Sequence, residues 1–150
     1  MKASDFLRVK APGVYTTTPN SSLWSAIETM ASQDIGSVVV MDGARMVGML
    51  TFREIINAVH ANGGKVGDAQ VGSVMATSVP TVTSDTDINS VRRVMVEGHV
   101  RYLPILDGET LVGVISFRDV ARAVLEEQGY ENRMLQSYIR DWPVPENVAV

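Results

Sequence analysis

Apolar positions along this chain switch between two periods, and the switching happens twice. Residues 15–18 are β-branched and aromatic, the pattern of a short strand, and Pro19, Asn20, Ser21 and Ser22 supply a turn ending in N-cap residues. Leu23, Ala26, Ile27, Met30 and Ala31 then fall at i, i+3, i+4, i+7 and i+8, which places them on one face of a helix. Gln33-Asp34-Ile35-Gly36 breaks that helix. Residues 37–41 form a continuous apolar run of strand length, as a buried strand requires. Asp42-Gly43 is turn chemistry that joins this run to a second one over 46–50, predicting an antiparallel hairpin. A helix over 52–60 closes the unit. The order is strand, helix, strand, strand, helix.

That order returns downstream at a fixed offset of 113 − 48 = 65 residues, set by Gly48 and Gly113, without a gap from Val14/Val79 to Val59/Val124. Thr16/Thr81, Thr18/Thr83, Met30/Met95, Asp42/Asp107, Gly43/Gly108, Phe52/Phe117 and Arg53/Arg118 are identical pairs. Leu23/Ile88, Val38/Leu103 and Leu50/Ile115 keep their character. The second copy therefore predicts a strand over 81–83, a helix over 87–97, a hairpin of 102–106 with 111–115, and a helix from 117. Two units, 14–61 and 79–126, follow from this. Residues 1–13 read as a lead-in whose short helix, about 5–9, ends at Ala11-Pro12-Gly13. Residues 62–78 read as a linker opening on Asn62-Gly63-Gly64, with one helical turn at 71–75. Residues 127–142 are a C-terminal amphipathic helix whose stripe is Met134, Leu135, Tyr138, Ile139 and Trp142, and 143–150 are a tail. Such a stripe packs on its own domain or forms a dimer contact.

The most heavily duplicated chemistry is Gly48-Met-Leu-Thr-Phe-Arg-Glu54 and Gly113-Val-Ile-Ser-Phe-Arg-Asp119. In each, an apolar strand ends at a hydroxyl residue and a helix opens with Phe-Arg-acid. Unpaired N–H groups and the partial positive charge of a helix N-terminus suit an anion, and an arginine in the first turn can reach a phosphate. The competing reading is structural. Thr51-x-x-Glu54 and Ser116-x-x-Asp119 are capping boxes, and a duplicated domain duplicates its caps.

A chain of 150 residues that is 45% apolar can bury a real core. Net charge is −4 and no basic run exceeds Arg92-Arg93, which argues against nucleic acid or an anionic membrane as partners of the surface as a whole. With no cysteine, disulfides, thiolate catalysis and thiolate zinc sites are excluded, and a reducing cytoplasm is the expected compartment. There is no apolar signal-peptide core at the N-terminus and no run long enough to span a membrane. His60 and His99 stand far apart, and no nucleophile–base pair, phosphate loop or metal-ligand cluster accompanies them, so no catalytic residue and no metal ligand is assigned.

The motifs Val-Tyr-Thr-Thr-Thr-Pro, Ile-Gly-Ser-Val-Val-Val-Met-Asp-Gly and Val-Gly-Met-Leu-Thr-Phe-Arg-Glu, with their second copies around His99-Val-Arg-Tyr-Leu-Pro-Ile-Leu-Asp-Gly, resemble a tandem pair of CBS domains, the arrangement called a Bateman module. The resemblance implies an α/β fold of α+β type, two β-α-β-β-α units in a pseudo-twofold pair with two clefts between them, plus the C-terminal helix. It implies a sensor rather than an enzyme, commonly a homodimer, needing no cofactor but binding an adenosine ligand such as AMP, ADP, ATP, NAD(H) or S-adenosylmethionine. Carried over by position, a main cleft uses Asp119 on the ribose hydroxyls, Ser116 and Arg118 on phosphate with Arg101 and Tyr102 near it, Thr18 on sugar or phosphate, and Ile35, Gly36 and Ser37 around the adenine. A second, weaker cleft uses Thr51, Arg53, Glu54 and Thr83, framed by Val100 and Arg101. Two departures from the family pattern bear on these roles: Glu54 is one methylene longer than aspartate, and Tyr102 stands where relatives often carry histidine or arginine. The regulated partner is unspecified. A module that binds other proteins and no small ligand is the alternative.

Overall fold

A computed structural model of the chain describes residues 1–9 and 14–140. Its elements run α1 (Ala3–Val9), β1 (Thr16–Thr17), α2 (Leu23–Gln33), β2 (Ser37–Asp42), β3 (Arg45–Thr51), α3 (Phe52–Ala61), α4 (Val71–Val74), α5 (Ile88–Gly98), β4 (Tyr102–Asp107), β5 (Thr110–Ser116) and α6 (Phe117–Arg140). The hairpins β2–β3 and β4–β5 hold the two units together, each antiparallel and each closed by a two-residue turn. Gly43 and Gly108 take φ of +62° and +63° at the first central position of those turns, a conformation that glycine adopts without strain. Both hairpins slip register at the same duplicated place, after Val40 and after Ile105.

The inner faces of the hairpins bury matched residues. Leu23, Ala26, Met30, Val38, Val40 and Leu50 form one core, and Ile88, Val91, Met95, Leu103, Ile105 and Ile115 form the other. Both packing helices end alike. Asp34 and His99 sit in the left-handed region at φ 53° and 52°, and their amides close onto the carbonyls of Met30 and Met95. This is the αL helix stop, made here without glycine.

Each core is finished by a segment from outside its unit. Val71 of α4 is fully buried in the first core, and Ala3 of α1 is fully buried in the second. The two segments are equivalent at an offset of 71 − 3 = 68. Val71 N–H donates to Ser21 O and Ala3 N–H to Thr86 O, and Gly72 N–H donates to Pro19 O as Ser4 N–H does to Ser84 O. Gly48 has no Cβ because Met75 and the Ala76 carbonyl occupy that space, and Gly113 has none because Leu7 does. The N-terminal helix therefore completes the second unit, and the linker helix completes the first. The lead-in and linker are core-bearing parts.

Two details differ from the sequence expectation. The strand expected over 81–83 is reduced to a single bridge, Val82 with Ile105. In the first unit Val39 N–H donates to Tyr15 O, but the matching position is Pro104, which has no N–H to give. The closing helix of the second unit and the C-terminal helix, separated in sequence at 126/127, are one helix, α6. Gly129 lies inside it at a cost of about 1 kcal/mol. Met134 and Leu135 of the apolar stripe are exposed. The side chains of Tyr138 and Ile139, together with Trp142, Ala11-Pro12-Gly13 and the 143–150 tail, fall outside the described residues.

Packing of α1 on the second unit predicts a coupled pair. Leu7→Ala should cost about 2 kcal/mol and Gly113→Ala about 1–3 kcal/mol. In urea unfolding, the double variant should lose clearly less than the sum, because truncating Leu7 makes room for the new methyl.

Candidate functional site

No loop separates strand from helix at either duplicated motif, so the first amides of α3 and α6 emerge directly at the end of a sheet. Thr51 is the N-cap of α3 in extended conformation. Its N–H and its Oγ1 both donate to Glu54 Oε1, each at 2.8 Å, and Arg53 N–H donates to Thr51 Oγ1 at 3.3 Å. At α6 the exchange is reciprocal: Ser116 N–H donates to Asp119 Oδ2 at 2.9 Å, and Asp119 N–H donates to Ser116 Oγ at 3.0 Å. The extra methylene lets Glu54 fold back and take the cap hydroxyl as well as the cap amide. Both carboxylates are half-buried and lie against the positive end of a helix.

The paired arginines diverge. Arg53 Nη2 crosses to the other unit and donates to the carbonyl of His99 at 2.6 Å. Arg118 makes no hydrogen bond or ion pair among the described residues. It lines an open groove of about 540 Å³ along α6 with Ala121, Arg122, Leu125 and Arg133. A second crevice, about 500 Å³, lies between α3 and the 66–74 segment, with Glu54, Asn57, Asp68 and Ser73 on its walls. Asp119 lines neither hollow.

Tyr102 also crosses between the units. Its hydroxyl lies against the Gly36 backbone where a Cβ would stand, with the edge of the Phe52 ring 3.4 Å from the same point. Ser37 begins β2 opposite Thr51, and Tyr102 begins β4 opposite Ser116. Ile35 and Val100 pack partly buried against the cores of their own units. Arg101 is exposed, and its carbonyl accepts from Phe117 N–H at 2.7 Å. The two threonines are held locally: Thr18 Oγ1 pairs with Ser21 Oγ at 2.7 Å, and Thr83 Oγ1 pairs with Thr86 Oγ1 at 3.1 Å.

The structure thus brings together Ser116 with Asp119, Thr51 with Arg53 and Glu54, and Gly36 with Tyr102, while Thr18, Thr83 and Arg118 each stand apart. Sequence reasoning missed the roles of the His99 carbonyl and the Phe52 ring. Neither had a signal in the sequence, since the left-handed helix stop at 99 is made without the glycine that usually marks one. Among the described residues no group of three or more His, Asp or Glu could hold a metal ion, and no helix is long and apolar enough to cross a membrane.

The turn that carries Thr83 is pinned by an acid. Asp107 accepts from Ser84 N–H at 3.0 Å and from the Ser84 hydroxyl. These two bonds, the hydroxyl first, hold its carboxyl below the usual carboxylate range. A folded-state pKa below the unfolded one gives stability that is complete above about pH 4 and is lost as pH falls through the lowered value. Ser84→Ala should therefore lower the urea midpoint at pH 7, and the gap to the wild type should narrow at pH 3. In unit 1, Pro19 stands at the matching position and offers no donor.

Comparison with known proteins agrees with this architecture. The CBS domain matches twice, over residues 5–61 and 71–126, each match opening in the helix that precedes the unit. An uncharacterised 17.7 kDa protein of Acidianus ambivalens is 32% identical over 126 residues, covering 83% of this chain and 75% of its own. The CBS domain-containing protein YhcV of Bacillus subtilis is 30% identical over 108 residues, covering 72% and 76%. The solved structure of a protein with CBS domains from Burkholderia ambifaria superposes with a TM-score of 0.80 at 29% identity, covering 85% of this chain and 96% of that one. With two matched repeats, two hairpin-centred cores and solved neighbours of the same build, this chain belongs to the CBS domain family as a tandem pair.

Proposed function

We propose that this chain is an adenine-nucleotide-binding regulatory module rather than an enzyme. It takes an AMP-type ligand in the crevice between its two units and acts in the cytoplasm on a partner protein or through pairing of two copies. The observation that carries the reading is the unequal fate of a duplicated arginine. Arg53 is engaged by a carbonyl, whereas Arg118, in the first turn of α6, has no hydrogen-bond or ion-pair partner among the described residues. A cation left in this way beside helix-terminal amides favours phosphate. In the main cleft Asp119 receives the ribose hydroxyls, Ser116 and Arg118 the phosphate, and Thr18 the sugar edge, while Ile35, Gly36 and Ser37 border the base. Arg101 and Tyr102 flank it. The cleft of Thr51, Arg53, Glu54, Thr83, Val100 and Arg101 binds more weakly, because Arg53 is already engaged by the His99 carbonyl. Structures that share this fold at 23% and 20% identity, CBSX2 with AMP and the MJ0100 CBS pair with 5′-methylthioadenosine and S-adenosylmethionine, are consistent with an adenosine class of ligand.

A second reading, a protein-interaction module with no small ligand, draws support from the exposed Leu125, Met134 and Leu135 along α6. A melting panel of AMP, ADP, ATP, NAD, NADH and S-adenosylmethionine separates the two. A ligand at about 100 times its dissociation constant adds about 2.7 kcal/mol, a rise of roughly 5–10 °C for a chain this size. No rise at millimolar concentration would favour the interaction module.

Asp119→Ala should weaken nucleotide binding by at least about tenfold through lost charge-assisted hydrogen bonds. It should cost the ligand-free protein only about 1 kcal/mol, the value of a helix cap. Calorimetric titration and urea unfolding of the same variant measure the two effects. Collapse of the ligand-free variant with affinity retained would make Asp119 a cap and nothing more.

A further inference from the structure

The four residues from His99 to Tyr102 are gripped by the other unit at both ends. At the first, the Arg53 guanidinium holds the His99 carbonyl at 2.6 Å. At the last, the Tyr102 hydroxyl lies on the Gly36 backbone, beside the Phe52 ring edge. Within its own unit the segment is anchored by Val100 N–H on Met95 O and by Phe117 N–H on Arg101 O. Its repeat mate, 34–37, has no matching grip. Position 36 is glycine and position 37 is serine, and Arg118 makes no bond to the Asp34 carbonyl. The bridging is therefore one-sided, although both copies carry the Phe-Arg-acid motif that could supply it.

We infer that 99–102 is a strap closing the crevice, and that Tyr102 is a specificity-determining gate, holding the place beside Gly36 that a planar base takes. The inference rests on the nucleotide reading for its ligand but not for the strap itself. A flat aromatic base and the phenol compete for one slot against a residue with no side chain. The Arg53 guanidinium on the His99 carbonyl holds the far end of the same segment, so the phenol and the guanidinium fasten the strap together. Planar purine ligands must swing Tyr102 out before they bind, whereas a small inorganic anion need not. The observed affinity for a purine nucleotide is the affinity of the open form multiplied by the fraction of molecules open, so loosening the strap tightens binding.

Hydrogen exchange by mass spectrometry on the ligand-free full chain tests the strap without any nucleotide. In Arg53→Gln and in Tyr102→Ala, peptides over 99–102 and 34–37 should exchange at least about threefold faster than in the wild type, with the core strands unchanged. Tyr102→Phe, which keeps the ring and loses the hydroxyl, should have a smaller effect and serves if the alanine variant folds poorly. AMP is then titrated calorimetrically into each, and Tyr102→Ala should bind about three- to tenfold more tightly than the wild type. Unchanged exchange in all variants overturns the strap. Faster exchange with weaker AMP binding in Tyr102→Ala overturns the gate and makes Tyr102 a stacking wall. Faster exchange with no AMP binding in any variant, wild type included, supports the strap and removes the nucleotide reading instead.

Discussion

The structure depends on a covering constraint. A two-stranded hairpin with one apolar face is not stable until something packs on it, and in this chain part of the cover comes from outside each unit. Val71 and Ala3 fill equivalent places under the two hairpins, and both are fully buried. The approach is so close that the facing strand positions, Gly48 and Gly113, have room for no side chain. Because the N-terminal helix covers the second unit, the start of the chain is fastened to its later half. The two units share more than a junction, and a change at residue 7 is felt at residue 113.

Much of this architecture was legible because burial repeats. Leu23/Ile88, Met30/Met95, Val38/Leu103 and Leu50/Ile115 keep apolar character at one offset, and every one of those residues is buried. The covering helices escaped the same comparison for a simple reason. They recur at 68 rather than 65, and their sequences, Val71-Gly-Ser-Val and Ala3-Ser-Asp-Phe, share no identical residue at that offset. Pro104 was visible in the sequence, yet its effect on the 81–83 strand depends on which neighbour needs its missing N–H, and only the pairing shows that. The continuity of α6 past Gly129 was not legible either, because a lone glycine in a helix is a modest penalty that neighbouring turns absorb.

The candidate site was legible in its residue types and less so in its state. Hydroxyl-x-x-acid at a strand-to-helix junction is realised as a cap in both copies, so the groups proposed to meet a ligand also hold their helices. This dual use follows from geometry. The place where a helix leaves backbone amides unpaired is where a protein needs a cap and also where an anion is welcome. Side-chain length then separates the copies. Glutamate reaches the threonine amide and hydroxyl together, while the aspartate carboxylate accepts from the serine amide and its own N–H donates to the serine hydroxyl.

Duplication supplies two equal sets of groups, and the fold then treats them unequally. Arg53 and Arg118 are the same residue in the same motif, but only Arg53 makes a bond across to the other unit's αL carbonyl. The difference arises at the opposite side of the junction, where unit 2 offers tyrosine at 102 and unit 1 offers serine at 37. A phenol is long enough to reach the other unit and a hydroxymethyl is not. Tyr102 lies on Gly36, and at the other end of the same segment the His99 carbonyl is within reach of Arg53. Tyr102 on Gly36 and Arg53 on the His99 carbonyl thus fasten the 99–102 segment to the first unit at both ends, and among the described residues Arg118 makes no matching bond to the Asp34 carbonyl.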